Sequence, residues 1–180
     1  SIDRDSLQKG LEYFIDAYSK FKQTDSINSI ATVLSDIANT YHSLGEYNKA
    51  IDYCNKIDSL DKSKYSPLYF RASLYTKGMS YVYLNQFPAA VEIFTQQYLL
   101  SMQYGDTINL TRSLNALGSI QIYLGNYTQA LEYLLQALKI SENKKDLNQA
   151  AIRKVNIGNV LKDLQRSDEA LKYYNEALKY

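Results

Sequence analysis

The chain repeats itself every forty residues. LGEYNKAIDYCNKIDSL (44–60), LNQFPAAVEIFTQQYLL (84–100), LGNYTQALEYLLQALKI (124–140) and LQRSDEALKYYNEALKY (164–180) align without insertion or deletion. A unit of that length cannot bury an apolar stripe by itself, so neighbouring units must stack. With Ala31 as position 1, units begin at Ala31, Arg71, Thr111 and Ala151. The register also extends backward: Gly10 to Phe14 fill positions 20 to 24 of a preceding unit, and Leu7 to Phe21 reads as a lone second helix. The expected organisation is one array over 1–180, divided as 1–30, 31–70, 71–110, 111–150 and 151–180. It opens in mid-repeat and closes inside a helix. This implies a piece of a longer protein or ends that a partner covers, self-association included.

The columns of the repeat predict helices. Position 20 is alanine in all four units, and position 8 reads Ala38, Gly78, Gly118, Gly158. Two helices can cross closely only where side chains are this short, and a leucine there would overpack. Position 36 reads Ser26, Ser66, Asp106, Asp146, each able to accept an orphan N–H at a helix start. The chain has 2 prolines, and both Pro67 and Pro88 fall in a first turn, where a missing N–H is harmless. Gly45, Asn85 and Gly125 mark the turn within a unit. First (A) helices are therefore expected at 27–44, 67–84, 107–124 and 147–164, and second (B) helices at 47–61, 87–103, 127–143 and 168–179. The fold class is all-α, an α-solenoid of antiparallel helix pairs with about nine helices.

Composition narrows the function. A net charge of +1 gives no field for nucleic acid or an acidic membrane, and no apolar run is long enough for a membrane span. Cys54 is the single cysteine, so it has no internal disulfide partner and no second thiol to share a metal. One thiol fits a reducing compartment such as the cytoplasm, and does not exclude a periplasmic sensor. His42 is the single histidine. It should face the groove while Cys54 fills a packing position, so no Cys–His pair is expected. There is no glycine-rich phosphate loop or metal spacing, and the expectation is no enzyme and no cofactor. Asn109-Leu-Thr111 and Asn126-Tyr-Thr128 match glycosylation acceptors by chance.

These residues resemble the tetratricopeptide repeat. Leu114, Leu117, Gly118, Tyr127, Ala130, Leu134 and Ala137 match its pattern in one unit; Ile157, Gly158, Ala170, Tyr174 and Ala177 match in the next. Leu34, Leu74, Leu114 and Lys154 stand where the family has tryptophan, and Lys77 replaces a family leucine. The closing proline is absent, with Lys62, Met102 and Glu142 in its place, so helix B can run on for another turn. The resemblance implies a right-handed superhelix with the A helices lining a concave wall. It further implies a scaffold that binds a protein or peptide there, or the sensory or dimerisation region of a bacterial histidine kinase or transcription regulator.

On the A helices, positions 2, 5, 9 and 12 share one face and positions 4, 7, 8 and 11 point the other way. The candidate binding residues on and beside that inner face are Asn39, His42, Tyr75, Met79, Tyr83, Arg112, Asn115, Ser119 and Asn159. Amides can pair with a partner's backbone, and aromatics can hold its side chains. Some family members grip chaperone tails with a carboxylate clamp. Here Asn39 matches one clamp position, and Ala72 and Arg112 stand where further ones could fall, but Ser35, Thr76 and Ala116 replace others; only fragments of the clamp remain, so that ligand is not expected.

Overall fold

The computed structural model describes residues 3–24, 26–60 and 67–179, the stretch 67–72 by backbone alone. Among the described residues the chain forms nine helices: α1 (Arg4–Phe21), α2 (Ile27–Ser43), α3 (Tyr47–Asp58), α4 (Pro67–Tyr83), α5 (Phe87–Gln103), α6 (Thr107–Tyr123), α7 (Tyr127–Asn143), α8 (Leu147–Asp163) and α9 (Ser167–Ala177). The A helices are α2, α4, α6 and α8, and the forty-residue period is kept at the start of each. The fold is all-α, a tandem series of helix pairs. Its packing divides into two compact units, Ser1–Leu100 and Ser101–Tyr180. The first is centred on Ile30, Ala31, Leu34, Ile57 and Leu74. The second is centred on Leu134, Leu138, Ile157, Val160 and Leu161.

Helix starts follow the sequence with one difference. Asp106 accepts from the Asn109 N–H at 3.1 Å, and Asp146 from the Gln149 N–H at 3.0 Å. Ser26 stands at its cap position but makes no such bond; its hydroxyl pairs with that of Ser29 at 2.8 Å. The Ser66 cap and the Lys62 site lie outside the described residues. Helices α5 and α7 run through Met102 and Glu142, the places of the missing family proline.

The turns are more regular than their residues. Each A-to-B turn has a left-handed residue, with φ of 81° at Gly45, 57° at Asn85, 76° at Gly125 and 61° at Gln165. The B-to-A turns before α6 and α8 repeat this at Gly105 (65°) and Lys145 (55°). In every case two bonds close the helix end. At the first, the Glu46 N–H donates to the Tyr41 carbonyl (2.9 Å) and the Gly45 N–H to the His42 carbonyl (3.0 Å). This paired closure satisfies carbonyls that a helix end would otherwise leave bare. It holds Gln165 and Lys145 in a conformation costing an ordinary residue roughly 1–2 kcal/mol.

The close crossing of A and B helices depends on position 8 meeting position 24. A Cβ at Gly78 would lie 2.7 Å from Phe94 Cζ, and one at Gly158 would lie 2.5 Å from Tyr174 Cε1. At Gly118 the nearest atom would be Leu134 Cγ at 3.5 Å, an ordinary contact. An aromatic ring at position 24 therefore requires glycine at position 8, whereas leucine does not. In the first unit the corresponding pair is Ala38 and Cys54, both wholly buried.

Both lysines that depart from the family pattern are neutralised by acids on B helices. Lys77 donates to Asp58 Oδ2 at 2.6 Å. Lys154 is 5% exposed and lies 3.2 Å from Glu142 Oε1 and 2.9 Å from Glu176 Oε2. Burial disfavours the Lys154 charge, but the two carboxylates outweigh it and the ammonium pKa ends above its ordinary value. Lys154 thus ties α8 to both neighbouring B helices at a place where other units use leucine.

The glycine fit predicts a graded mutational series. Gly78→Ala and Gly158→Ala should each destabilise by about 1–3 kcal/mol, because the ring must be displaced. Gly118→Ala should be neutral or stabilising by up to about 1 kcal/mol through helix propensity. Urea unfolding of the three variants checks this; equal losses at all three would show that the ring contact is not what sets the crossing.

Candidate functional site

The expected inner face is the uncovered one. Among the described residues at positions 2, 5, 9 and 12 of the A helices, none is buried. Positions 4 and 8 are buried throughout. Ala72 lies outside the residues whose side chains are described. Two further columns are also buried: Val33, Ser73, Ser113 and Arg153 at position 3, and Thr40, Ser80, Ile120 and Val160 at position 10.

In the first unit, the candidate residues link α2 to α4. Thr76 Oγ1 donates to Asn39 Oδ1 at 2.5 Å. His42 Nδ1 lies 3.0 Å from Ser80 Oγ. The Ser80 hydroxyl gives its proton to the Thr76 carbonyl at 2.7 Å, so the His42 Nδ1–H is the donor in the other bond. The His42 ring meets Tyr47 and Tyr83 edge-on, with centroids 5.3 and 5.4 Å away. Those two tyrosines stack on each other at 4.9 Å with 8° between planes. Tyr83 remains 56% exposed, which leaves one face of the trio open. Met79 is half-buried on the same helix. Tyr75 is less available than its register implies, because its ring packs edge-on against buried Phe94 at 6.0 Å.

In the second unit, Arg112 and Asn115 are brought together in a cleft of about 340 Å³. It is formed by the start of α6, the end of α7 and the start of α8, with Thr107, Lys144 and Arg153 among its lining. Ile108 stands one turn before Arg112 and is 62% exposed. Ile152 and Val155, the residues of α8 equivalent to Arg112 and Asn115, are 46% and 41% exposed. Ser119 is exposed on the same face of α6. Asn159 is not brought into this group; its Oδ1 accepts from the Tyr174 hydroxyl of α9 at 2.8 Å.

Sequence reasoning missed Thr107, Lys144 and Arg153. Only Arg153 left a signal, as one long charged side chain in a column otherwise made of Val33, Ser73 and Ser113.

Cys54 is set apart from this face. Burial, with a smaller push from Asp58, raises its thiol to about 12, and Sγ donates to the Ser73 carbonyl at 3.5 Å. A thiol so protonated is neither a nucleophile nor a metal ligand at neutral pH. Among the described residues no three His, Cys, Asp or Glu side chains are grouped to hold a metal. No helix among them is long and apolar enough to cross a membrane.

Tandem helix pairs, small residues at each crossing and one uncovered A-helix face define a helical repeat protein. Family models described as tetratricopeptide repeat match residues 70–143, and residues 31–64 and 154–180; the chain belongs to that family. Among curated proteins, none matches the sequence. Solved structures do. MamA shares 22% identity at a TM-score of 0.70, over 99% of this chain and 95% of that one. BtubC (BKLC) from P. vanneervenii shares 16% at 0.78, over 97% and 73%. Aspartyl phosphate phosphatase F from Bacillus subtilis shares 16% at 0.80; 94% of this chain is covered but only 44% of that one. At these identities the likeness is one of fold. Proteins of this family and fold are protein-interaction scaffolds, typically without catalytic activity of their own.

His42 supplies a pH test of the first-unit geometry. Burial lowers its pKa below the ordinary 6.5. The unfolded chain then binds more protons in the window between the two values, so the His42 contribution to stability is complete above about 6.5 and is lost as pH falls through the folded value. Asp36, whose carboxyl burial raises, acts with the opposite sign in a lower range. His42 being the single histidine, its imidazole signal should titrate below 6.5 by NMR, and His42→Gln should flatten the stability loss just below neutrality. An imidazole titrating above 6.5 would contradict the half-buried, Ser80-bonded placement.

Proposed function

We propose that the A-helix face of each compact unit binds a partner polypeptide, with contacts from Asn39, His42, Met79 and Tyr83 in the first unit and, separately, from Arg112, Asn115 and Ser119 in the second. The observation that carries this reading is the placing of Ile108, Ile152 and Val155. These aliphatic side chains are 62%, 46% and 41% exposed on the face that also holds Asn115 and Arg112. Apolar area left open beside amide and guanidinium donors suits a polypeptide: side chains can cover the aliphatic surface while the donors take carbonyl or carboxylate oxygens. The exposed, stacked Tyr83 offers a flat apolar surface of the same kind in the first unit. Tyr75 and Asn159 contribute mainly to helix packing, through Phe94 and Tyr174.

The face is tested by capture of partners from the native host, using this chain as bait. Ile152→Asp and Asn115→Ala should each weaken capture of the same partner at least about tenfold, as expected when a central contact is lost. Helical content should stay unchanged. Leu135→Asp, at an exposed residue of the B helix α7, should leave capture intact. Loss at Leu135 with full capture by the two A-face variants would move the interface to the B helices and end the proposal.

A further inference from the structure

The cleft in the second unit is lined by a buried cation whose hydrogen bonding is incomplete. Arg153 is 4% exposed, yet it lines the cleft. One terminal nitrogen of its guanidinium, Nη1, is held by Gln149, through the carbonyl at 3.0 Å and Oε1 at 2.7 Å. Its Nε finds no hydrogen-bond partner among the described residues. A buried arginine with a donor unsatisfied is costly unless something else completes it. Burial disfavours its charge, and Asp146 opposes that only in part. Asp146 is the one carboxylate in the lining, and its Oδ1 already caps α8. Lys144 and Arg153 share that lining. Lys144 reaches across from α7 to the Thr107 hydroxyl, which fixes an ammonium at the cleft wall.

We infer that this cleft is a subsite for an oxyanion carried by the partner polypeptide, either an acidic side chain or a phosphorylated one. The proposal deepens the A-face reading and rests on it for the origin of the anion. The two ligands share one chemistry, because a planar guanidinium and an ammonium grip carboxylate and phosphate oxygens alike. Asn115 adds an amide donor at the same wall. Arg112 stands where a position of the chaperone-tail clamp could fall, but Arg153 and Lys144 do not: they occupy positions 3 and 34 of the repeat, on a buried column of helix A and at the end of helix B.

The test titrates the whole chain with three probes at constant ionic strength: inorganic phosphate, N-acetyl-glutamate amide and N-acetyl-phosphoserine amide. Arginine side-chain Nε–H signals are followed by NMR. The expected result is a saturable shift of the Arg153 signal. Lys144→Gln should weaken that binding several-fold, and Arg153→Gln should abolish the saturable response at other cleft signals. Lys144 is exposed, so its variant keeps the proposal testable even where the Arg153 substitution unfolds α8. Tighter binding of the phosphoserine probe would assign a phosphorylated partner, and tighter binding of the glutamate probe an acidic one. No saturable shift with any probe, or shifts unaffected by Lys144→Gln, would overturn the subsite. Partner capture that fails in Ile152→Asp but is indifferent to Lys144→Gln and to added phosphate would also overturn it, while leaving the A-face reading in place.

Discussion

Everything in this chain depends on how closely helix A can approach helix B within one repeat. The approach is set by a single pair of columns, position 8 on the A helix and position 24 on the B helix. Where position 24 carries a ring, as at Phe94 and Tyr174, only a hydrogen fits opposite. Where it carries leucine or cysteine, there is room for more, and the first unit has Ala38 there. The two columns vary together because helix separation is fixed and the volume between the helices must be filled to interior density. Position 20, alanine throughout, gives the B helix the same clearance. Such pairing lets each repeat change its side chains while the backbone period stays at forty residues.

A second constraint acts between the A helices α2 and α4. Position 3 and position 10 are buried in every unit, yet they hold Ser73, Ser80, Ser113 and Arg153 as well as aliphatic residues. Buried hydroxyls must find partners, and Ser80 does so in both directions, giving its proton to Thr76 and accepting from His42. His42 and Asn39, read from sequence as groove residues, therefore also join α2 to α4. A residue can do both. The Tyr47–Tyr83 stack leaves the far side of Tyr83 open, and a partner's side chain could rest there without breaking the bonds beneath. The uncovered face of this unit is consequently stiff at its base and open at its rim, an arrangement that would lower the entropy lost if the proposed partner binds there.

The helix starts were legible because the same signals recur from repeat to repeat, whereas the expected ends at 61 and 179 fall instead at Asp58 and Ala177. Starts at Ile27, Pro67, Thr107 and Leu147 follow from the column of Ser and Asp caps and from Pro67. The left-handed turn residues were only half legible. Gly45, Asn85 and Gly125 announce themselves, whereas Gln165 and Lys145 do not, because the paired hydrogen bonds that close the helix hold any residue there. The uncovered face was legible as a pattern: positions 2, 5, 9 and 12 came out unburied among the described side chains, through the geometry of a helix packed on one side. Which of its members stay available was not. Tyr75 turned to Phe94 and Asn159 to Tyr174 because those rings, on helix B, extend around the edge of helix A. A contact of that kind depends on ring orientation, which residue spacing does not encode.

The two residues that usually suggest chemistry, His42 and Cys54, are both occupied by packing. The thiol is protonated and enclosed; burial disfavours the charge on the imidazole, which is bonded to a serine. Polar groups along the A helices are instead amides, hydroxyls and guanidinium groups, which are suited to recognition. Arg153 is the sharpest instance. The same column elsewhere is filled by valine or serine, so the fold has no need of a cation there, and its packing would be served at less cost by a small side chain. A charge buried at a place where the repeat does not require it is better explained by what enters the cleft than by what surrounds it.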